Sequence, residues 1–598
     1  TAFRCRSCAG SVIYGEKEEG PMSKRKVGVY ICHCGGNISD YVDVEKVKSD
    51  IEKDHDVVVT RTTMFTCSDA SQNQIMEDIR EMNLDGIVVA SCSPKLHLST
   101  FRSAADRAGL NQFQYIQVNI REQCSWAHSD DPKGATKKAV GLVRGGLEKA
   151  KLTEPLEPIR VTSVKRVLII GAGIAGLRAA IEAADLGVEV YLVERENNVG
   201  GTVGTLGAMY PSGRKGSEII DRLMEQVEER SNITLYTGSK MVSREGYIGN
   251  FDVRIRVSSG DEIDLNIGAI IVATGFRPYE PAEGEYGMGL SGVVTLPEFE
   301  QMIEKATGSP LIYKGRRVGT VAYIYCVGSR QGPEVEDGNR YCSRYCCNAA
   351  VHASTLAAGL PGGMDSYHLY RDIRTYGKFE QLYEDASSSG SIFLRFDPKE
   401  KPEVSLVGNE LKVNVKDLLT CGEEIEIPVD LVVLVTGMIP ADNTELTSIL
   451  RLPLGTDRFY NEIHTKLRPV ETVIAGVYLA GSCQSPKNST ESVICSLSAV
   501  SKAASLLVKG YVDLQPFVAF VRNGLCSWCG ECEPACPYGA ISKIEEDGRE
   551  IAYVTDVLCT GCGACLPVCS KDALQLKGFT DEQVMSMIEG FAREVEGV

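Results

Sequence analysis

The run VLIIGAGIAGLRAAIEAADLGVEVYLVE, residues 167–194, decides how the fold is read. Val167 to Ile170 form a short apolar strand, and Gly171-x-Gly173-x-x-Gly176 follows at once, opening a helix-forming run. A second apolar strand then ends in Glu194. The glycines permit a tight turn and let backbone N–H groups approach a pyrophosphate. The helix N-terminus favours its negative charge, and Glu194 would accept from ribose hydroxyls. A glycine pattern alone is a weak signal that an idle turn can imitate. With strand, helix and acid all in register, it reads as a dinucleotide site.

Further strings extend this reading. Val199-Gly200-Gly201 follows the acidic strand, Ile271-Val272-Ala273-Thr274-Gly275 ends another strand, and Val477-Tyr478-Leu479-Ala480-Gly481 ends a third. Together they resemble the thioredoxin-reductase type of two-dinucleotide flavoprotein. That resemblance implies FAD, with Thr274 and Gly275 beside it and Gly481 near the flavin chain. The type carries Asp after that last glycine, whereas this chain has Ser482. A second glycine fingerprint is expected near residue 320, but the strand Val318 to Tyr325 runs into Cys326 without one. Direct nicotinamide binding in that lobe is therefore not expected. Instead Cys326, Cys342, Cys346 and Cys347 crowd into the lobe. The spacing suits a further four-iron cluster, but also a redox pair with two buried thiols, since adjacent cysteines are an unusual ligand pair.

Apolar strands alternate with helical segments along most of the chain, which indicates parallel sheets. The fold class expected is α/β multidomain: a two-lobe thioredoxin-reductase-like FAD domain, a small N-terminal α/β domain and a C-terminal two-cluster ferredoxin domain. The expected boundaries are an extension at 1–21, the small domain at 22–155, the FAD domain at 156–512, the ferredoxin domain at 513–580 and a helical tail at 581–598. Pro21-Met22-Ser23-Lys24 looks like a natural chain start, and Glu154-Pro155-Leu156-Glu157-Pro158 reads as a linker.

Cys526-x2-Cys529-x2-Cys532-x3-Cys536-Pro537 recurs as Cys559-x2-Cys562-x2-Cys565-x3-Cys569. This is the bacterial two-cluster pattern, in which the fourth cysteine of each run ligates the other run's cluster. The sets are therefore Cys526, Cys529, Cys532 and Cys569, and Cys559, Cys562, Cys565 and Cys536. Two zinc knuckles would instead show paired CxxC motifs. Ser570 stands where the second run would often carry Pro, which leaves the ligands untouched.

The net charge of −17 argues against nucleic-acid binding, which needs a basic surface. No stretch reads as a membrane span, because the apolar run 167–184 carries Arg178 and Glu182. Twenty-two cysteines at metal-type spacings suggest a reducing cytoplasm rather than disulfides.

Cys326-Val327-Gly328-Ser329-Arg330 and Tyr341-Cys342-Ser343-Arg344-Tyr345-Cys346-Cys347 closely resemble the A-type chains of heterodisulfide reductase. So do Tyr30-Ile31-Cys32-His33-Cys34-Gly35-Gly36, Ala90-Ser91-Cys92-Ser93-Pro94 and Asn119-Ile120-Arg121-Glu122-Gln123-Cys124-Ser125-Trp126. The likeness runs from residue 26 to about 577. It implies Cys326, Cys342, Cys346 and Cys347 as ligands of a [4Fe-4S] cluster near the flavin. It also implies one more cluster in the N-terminal domain, where loops after apolar strands gather five candidates. Cys34, Cys67, Cys92 and Cys124 are expected to bind it, with Cys32 in reserve. Cys5 and Cys8 make only half a site.

Two departures stand out. Thr202 to Asn232 lacks the ferredoxin module that methanogen members often carry after the flavin motif, and His352 occupies a place where the family tends to have Lys near the flavin. His352 could tune flavin proton uptake or could be an ordinary packed His. The resemblance implies an oxidoreductase component that performs flavin-based electron bifurcation, or its reverse, between ferredoxin and a disulfide. Its partners would be the B- and C-type subunits of heterodisulfide reductase (HdrB- and HdrC-like) and an electron-input module such as a hydrogenase, formate dehydrogenase or NADH-linked protein. It would act as a homodimer within that complex, in the cytoplasm, without nucleic acid or membrane insertion. The alternatives are a non-bifurcating relay of the sulfate-reduction or benzoyl-CoA-reductase kind, or a self-contained pyridine-nucleotide disulfide reductase. The latter would need a Cys-x2-Cys or Cys-x4-Cys pair over the flavin and a second nucleotide fingerprint; residues 160–510 lack the fingerprint, and their Cys-x4-Cys spacing, Cys342 to Cys347, falls inside the four-thiol group.

Overall fold

Apolar strands joined by helices bury both faces of a sheet, and the described residues use that device three times. The structure is a computed structural model that describes residues 25–306 and 308–593, so Cys5 and Cys8 lie outside the described residues. The chain divides into a terminal unit, up to residue 159 together with 514 onward, and a central unit, residues 160–513.

In the terminal unit, β1 (Val27–Cys32), β2 (Val57–Thr63), β3 (Gly86–Ser91) and β4 (Tyr115–Asn119) form one parallel sheet in the order β2-β1-β3-β4. Every residue of β1 and β3 is buried, as expected for central strands. Helices α1 (Val44–Ile51), α2 (Asp69–Met82), α3 (Pro94–Ala108) and α4 (Pro132–Lys151) complete this layer. The C-terminal helix Asp581–Ala592 lies against α4, where Gly141 and Gly145 face Phe591 and the Met587 carbonyl. A methyl at Gly145 would stand 2.9 Å from that carbonyl, so glycine sets the helix separation. The cysteine runs are held by the hairpin Ile541–Glu546/Arg549–Val554 and by the pairing of Ala519–Val521 with Leu574–Leu576.

The central unit has two five-stranded parallel sheets. The first contains β5 (Arg166–Ile170), β6 (Glu189–Val193), β7 (Ile233–Tyr236), β8 (Ala269–Val272) and Val477–Leu479, in the order β7-β6-β5-β8 and then the last strand. The second contains β9 (Val293–Thr295), β10 (Thr320–Val327), β11 (Asp365–Tyr370), β12 (Ile392–Arg395) and β13 (Leu431–Thr436), in the order β9-β13-β10-β11-β12. Helix α5 (Ile174–Asp185) follows β5, and helix α6 (Cys346–Ala358) packs on the core formed with β10 and β13. Among the described residues no helix is long and apolar enough to cross a membrane.

Candidate functional site

The turn after β5 takes the shape its glycines allow. Gly171 has φ +105, and a side chain on Gly176 would strike the Gly171 carbonyl. Gly173 and Gly200 bridge their backbones, and Gly200 donates its N–H to Ala172 at 2.8 Å. Glu194, at the end of β6, accepts from the Ala172 N–H at 2.7 Å and from the Glu196 N–H at 2.9 Å. Gly171, Gly173, Glu194, Gly200, Gly201, Thr274, Gly275 and Ser482 line a cavity of about 640 Å³. Gly176 and Gly481 lie behind its wall; a methyl on Gly481 would sit 2.7 Å from the Ala175 side chain.

The residues fit a flavin dinucleotide. The glycine turn can cradle a pyrophosphate, and the buried Thr274 Oγ1 and Asn348 Oδ1 have no partner among the described residues. The helix Ser489–Leu507 presents its N-terminus, capped by Asn488 and Glu491, to the same cavity. Its unpaired N–H groups favour negative charge there. Lys487 also lines the wall.

His352 lines the cavity as well, with Tyr210 edge-on at 5.7 Å between ring centroids. Burial holds its pKa below the ordinary value. Glu300 is a lining residue that the sequence did not single out, and burial pushes its carboxyl up to about 7. It sits on an amphipathic helix, Leu296–Lys305, whose pattern gives no reason to single it out.

Helix α6 joins this cavity to a second site. Tyr345, Asn348, Ala349 and His352 recur every three or four residues, and this face lines the cavity. Cys346 and Cys347 open the same helix, and Cys346 is flanked by Cys326, Cys342 and Cys347. Cys326 comes from the end of β10, with φ +63, and the Arg344 N–H donates to Cys342 Sγ at 3.4 Å. The four thiols thus stand where the strand would otherwise turn into a glycine fingerprint.

The terminal unit gathers three more sets. Cys532 stands with Cys526, Cys529 and Cys569, and Cys565 stands with Cys559, Cys562 and Cys536. In the N-terminal sheet, Cys32, Cys34, Cys67 and Cys92 come together at the C-terminal edge. Cys124, expected in that set, is buried with Lys138 as the charged group facing it and, among the described residues, no other thiol. Cys32, held in reserve, instead lies beside Cys34, Cys67 and Cys92, for a backbone reason. Left-handed Cys34 (φ 54) and Gly35 (φ 59) fold the loop back, so that the Cys34 N–H donates to Cys32 Sγ at 3.3 Å. Cys124 instead lies in the single turn Arg121–Ser125, which packs on α4.

Among the described residues no three thiols bring their sulfurs within 4.8 Å of one another. One tetrahedral zinc ion would hold thiolates roughly 4 Å apart. Four soft thiolate donors per set are the ligand complement of an iron-sulfur cluster.

Cavity and thiols together define a two-lobe flavoprotein carrying iron-sulfur centres. Residues 165–315 match the family described as pyridine nucleotide-disulphide oxidoreductase, and residues 525–573 match the 4Fe-4S dicluster domain. The iron-sulfur A-type chain of a CoB–CoM heterodisulfide reductase from Methanopyrus kandleri is 36% identical, covering 95% of this chain and 99% of its own. The corresponding A-type chain of the H2:CoB-CoM heterodisulfide, ferredoxin reductase from Methanothermobacter thermautotrophicus is likewise 36% identical, over 97% and 99%. A Lactococcus lactis thioredoxin reductase covers 58% of this chain and 100% of its own, with 19% identity and a TM-score of 0.40. The chain belongs to the family of heterodisulfide reductase A-type subunits. It is a component of an oxidoreductase, and its cofactors are FAD and [4Fe-4S] clusters.

Proposed function

We propose that this chain is the electron-splitting hub of a heterodisulfide reductase-type complex, dividing electron pairs between ferredoxin and a disulfide-reducing partner, or running the reverse. The observation that carries this is helix α6, one face of which lines the flavin cavity while its first turn supplies Cys346 and Cys347. When bound, FAD exchanges electrons in pairs and a [4Fe-4S] cluster takes them singly. The chain's own contribution is placement. Glu194 and the glycine turn hold the dinucleotide end, the helix at Ser489 favours negative charge on the ring, and Cys326, Cys342, Cys346 and Cys347 hold the adjoining cluster.

A four-cluster chain follows from the thiol sets, with Cys32, Cys34, Cys67 and Cys92 as the N-terminal ligands and the two ferredoxin-type sets as further exits. The relatives' names, which pair a heterodisulfide with ferredoxin, support these as the two acceptors. The B- and C-type subunits and an electron-input module would complete the assembly, with this chain as a homodimer in the cytoplasm. The deciding assay uses the native complex purified anaerobically with its partners. Ferredoxin reduction is expected only while the disulfide acceptor is present, with the two products formed in equal electron amounts. Ferredoxin reduction at an undiminished rate without that acceptor would reduce the chain to a simple relay.

A further inference from the structure

We infer that a surplus of guanidinium charge around Cys326 and Cys347 sets the potential of the cluster beside the flavin, raising it above the potentials of the two ferredoxin-type clusters. The inference rests on the proposed reading that these thiols hold a cluster.

Each thiol set receives hydrogen bonds from backbone N–H groups. The Ala552 and Ala573 N–H groups donate to Cys526 and Cys569, and those of Ala519 and Ala540 donate to Cys559 and Cys536, at 3.2–3.4 Å. Among the described residues, no guanidinium hydrogen bond to a sulfur is found in either ferredoxin-type set. The site at Cys326 differs in this respect. Arg330 places Nη1 3.9 Å from Cys326 Sγ, and Arg371 and Arg330 are the cations that face Cys326. Cys347 faces Arg374 and Arg330.

These arginines are held in place rather than free. Arg330 Nη2 donates to Asp372 Oδ2 at 2.7 Å, and Arg371 Nη1 donates to the Arg330 carbonyl at 2.6 Å. Asp372 also pairs with Arg395 at 3.3 Å and Arg374 at 3.9 Å. A single carboxylate thus serves three guanidinium groups, with the 8%-exposed Arg371 beside them. The contrast extends to the N-terminal set, where Arg121 donates to Cys34 Sγ at 3.4 Å but is matched one-to-one by Glu122 at 2.8 Å. Net positive charge favours the electron-rich state of a thiolate-held cluster, and it does so most where water is excluded.

The test is EPR-monitored redox titration of the full chain, with the relevant signal assigned as the one lost in Cys346→Ser along with about four irons. Arg330→Gln should lower that midpoint, and Asp372→Asn, which removes the lone carboxylate, should raise it. Each change is expected to be about tenfold in the reduced-to-oxidised ratio, or 59 mV for one electron. Arg330→Lys, which keeps the positive charge, should stay within about threefold of the parent. A merely structural role for this network would move both midpoints the same way or neither, and either result overturns the inference. Loss of the iron in both Arg330 variants would likewise overturn it, making Arg330 a scaffold. If Cys346→Ser keeps all its iron, the cluster reading itself fails.

Discussion

At the scale of single residues, His352 tests how closely the chain's own groups face the flavin. Burial keeps its imidazole neutral at neutral pH, with Tyr210 against its edge, so it brings no full charge into the cavity. His352→Lys introduces a cation at the same place, which stabilises negative charge on the ring. The flavin midpoint, followed by its visible absorbance, should rise by about the equivalent of a tenfold change in ratio. His352→Gln should leave it nearly unchanged. An unmoved midpoint in the lysine variant would place this side chain away from the ring. Much at this scale was legible in the sequence: Gly171, Gly173, Gly176 and Glu194 could be named because a pyrophosphate turn tolerates few other residues. Glu300 and Arg371 could not, because what distinguishes them is burial and neighbours brought in from distant strands.

At the scale of elements, α4 carries an unfavourable burial. Lys149 is 5% exposed, its Nζ lies 3.1 Å from the Phe579 ring centroid, and burial pulls its pKa from 10.5 down to about 7. A depressed folded-state pKa means that the ammonium form is disfavoured in the native state. The penalty from Lys149 is therefore absent above pH 10.5 and grows as the pH drops toward 7. Lys149→Met should stabilise the terminal unit at pH 7 by roughly 2 kcal/mol, less than the shift alone implies because the aromatic face partly compensates the cation. The gain should vanish near pH 10.5, as read by chemical denaturation at both pH values. An equal gain at both would show that packing, not charge, is responsible. The strands were legible at this scale wherever they are buried on both faces, as with Val27–Cys32, Gly86–Ser91 and Leu431–Thr436. The thiol set at the edge of the first sheet was not. The sequence reading put Cys124 ahead of Cys32, because the left-handed backbone at Cys34, which folds the loop back toward Cys32, is announced by no periodicity.

At the scale of the whole molecule, the two units divide the cofactor sites unequally. The central unit holds the flavin cavity and four gathered thiols, and the terminal unit holds the other three sets. A protein filled at every set would carry about sixteen irons for one flavin, at about four irons per cluster. The division makes the losses separable. Cys569→Ser lies in the second ferredoxin run, but its thiol stands with Cys526, Cys529 and Cys532. Its removal should therefore disturb the cluster held by the first run, lowering iron by up to about four per chain while flavin content stays whole. Cys32→Ser should lower iron by a similar amount, whereas Cys124→Ser should lower none. Iron and flavin analysis of the three variants, purified anaerobically side by side, checks all of this. Iron lost from Cys124→Ser but kept in Cys32→Ser would mean that the N-terminal thiols regroup when a cluster is bound, and would return Cys124 to the ligand set.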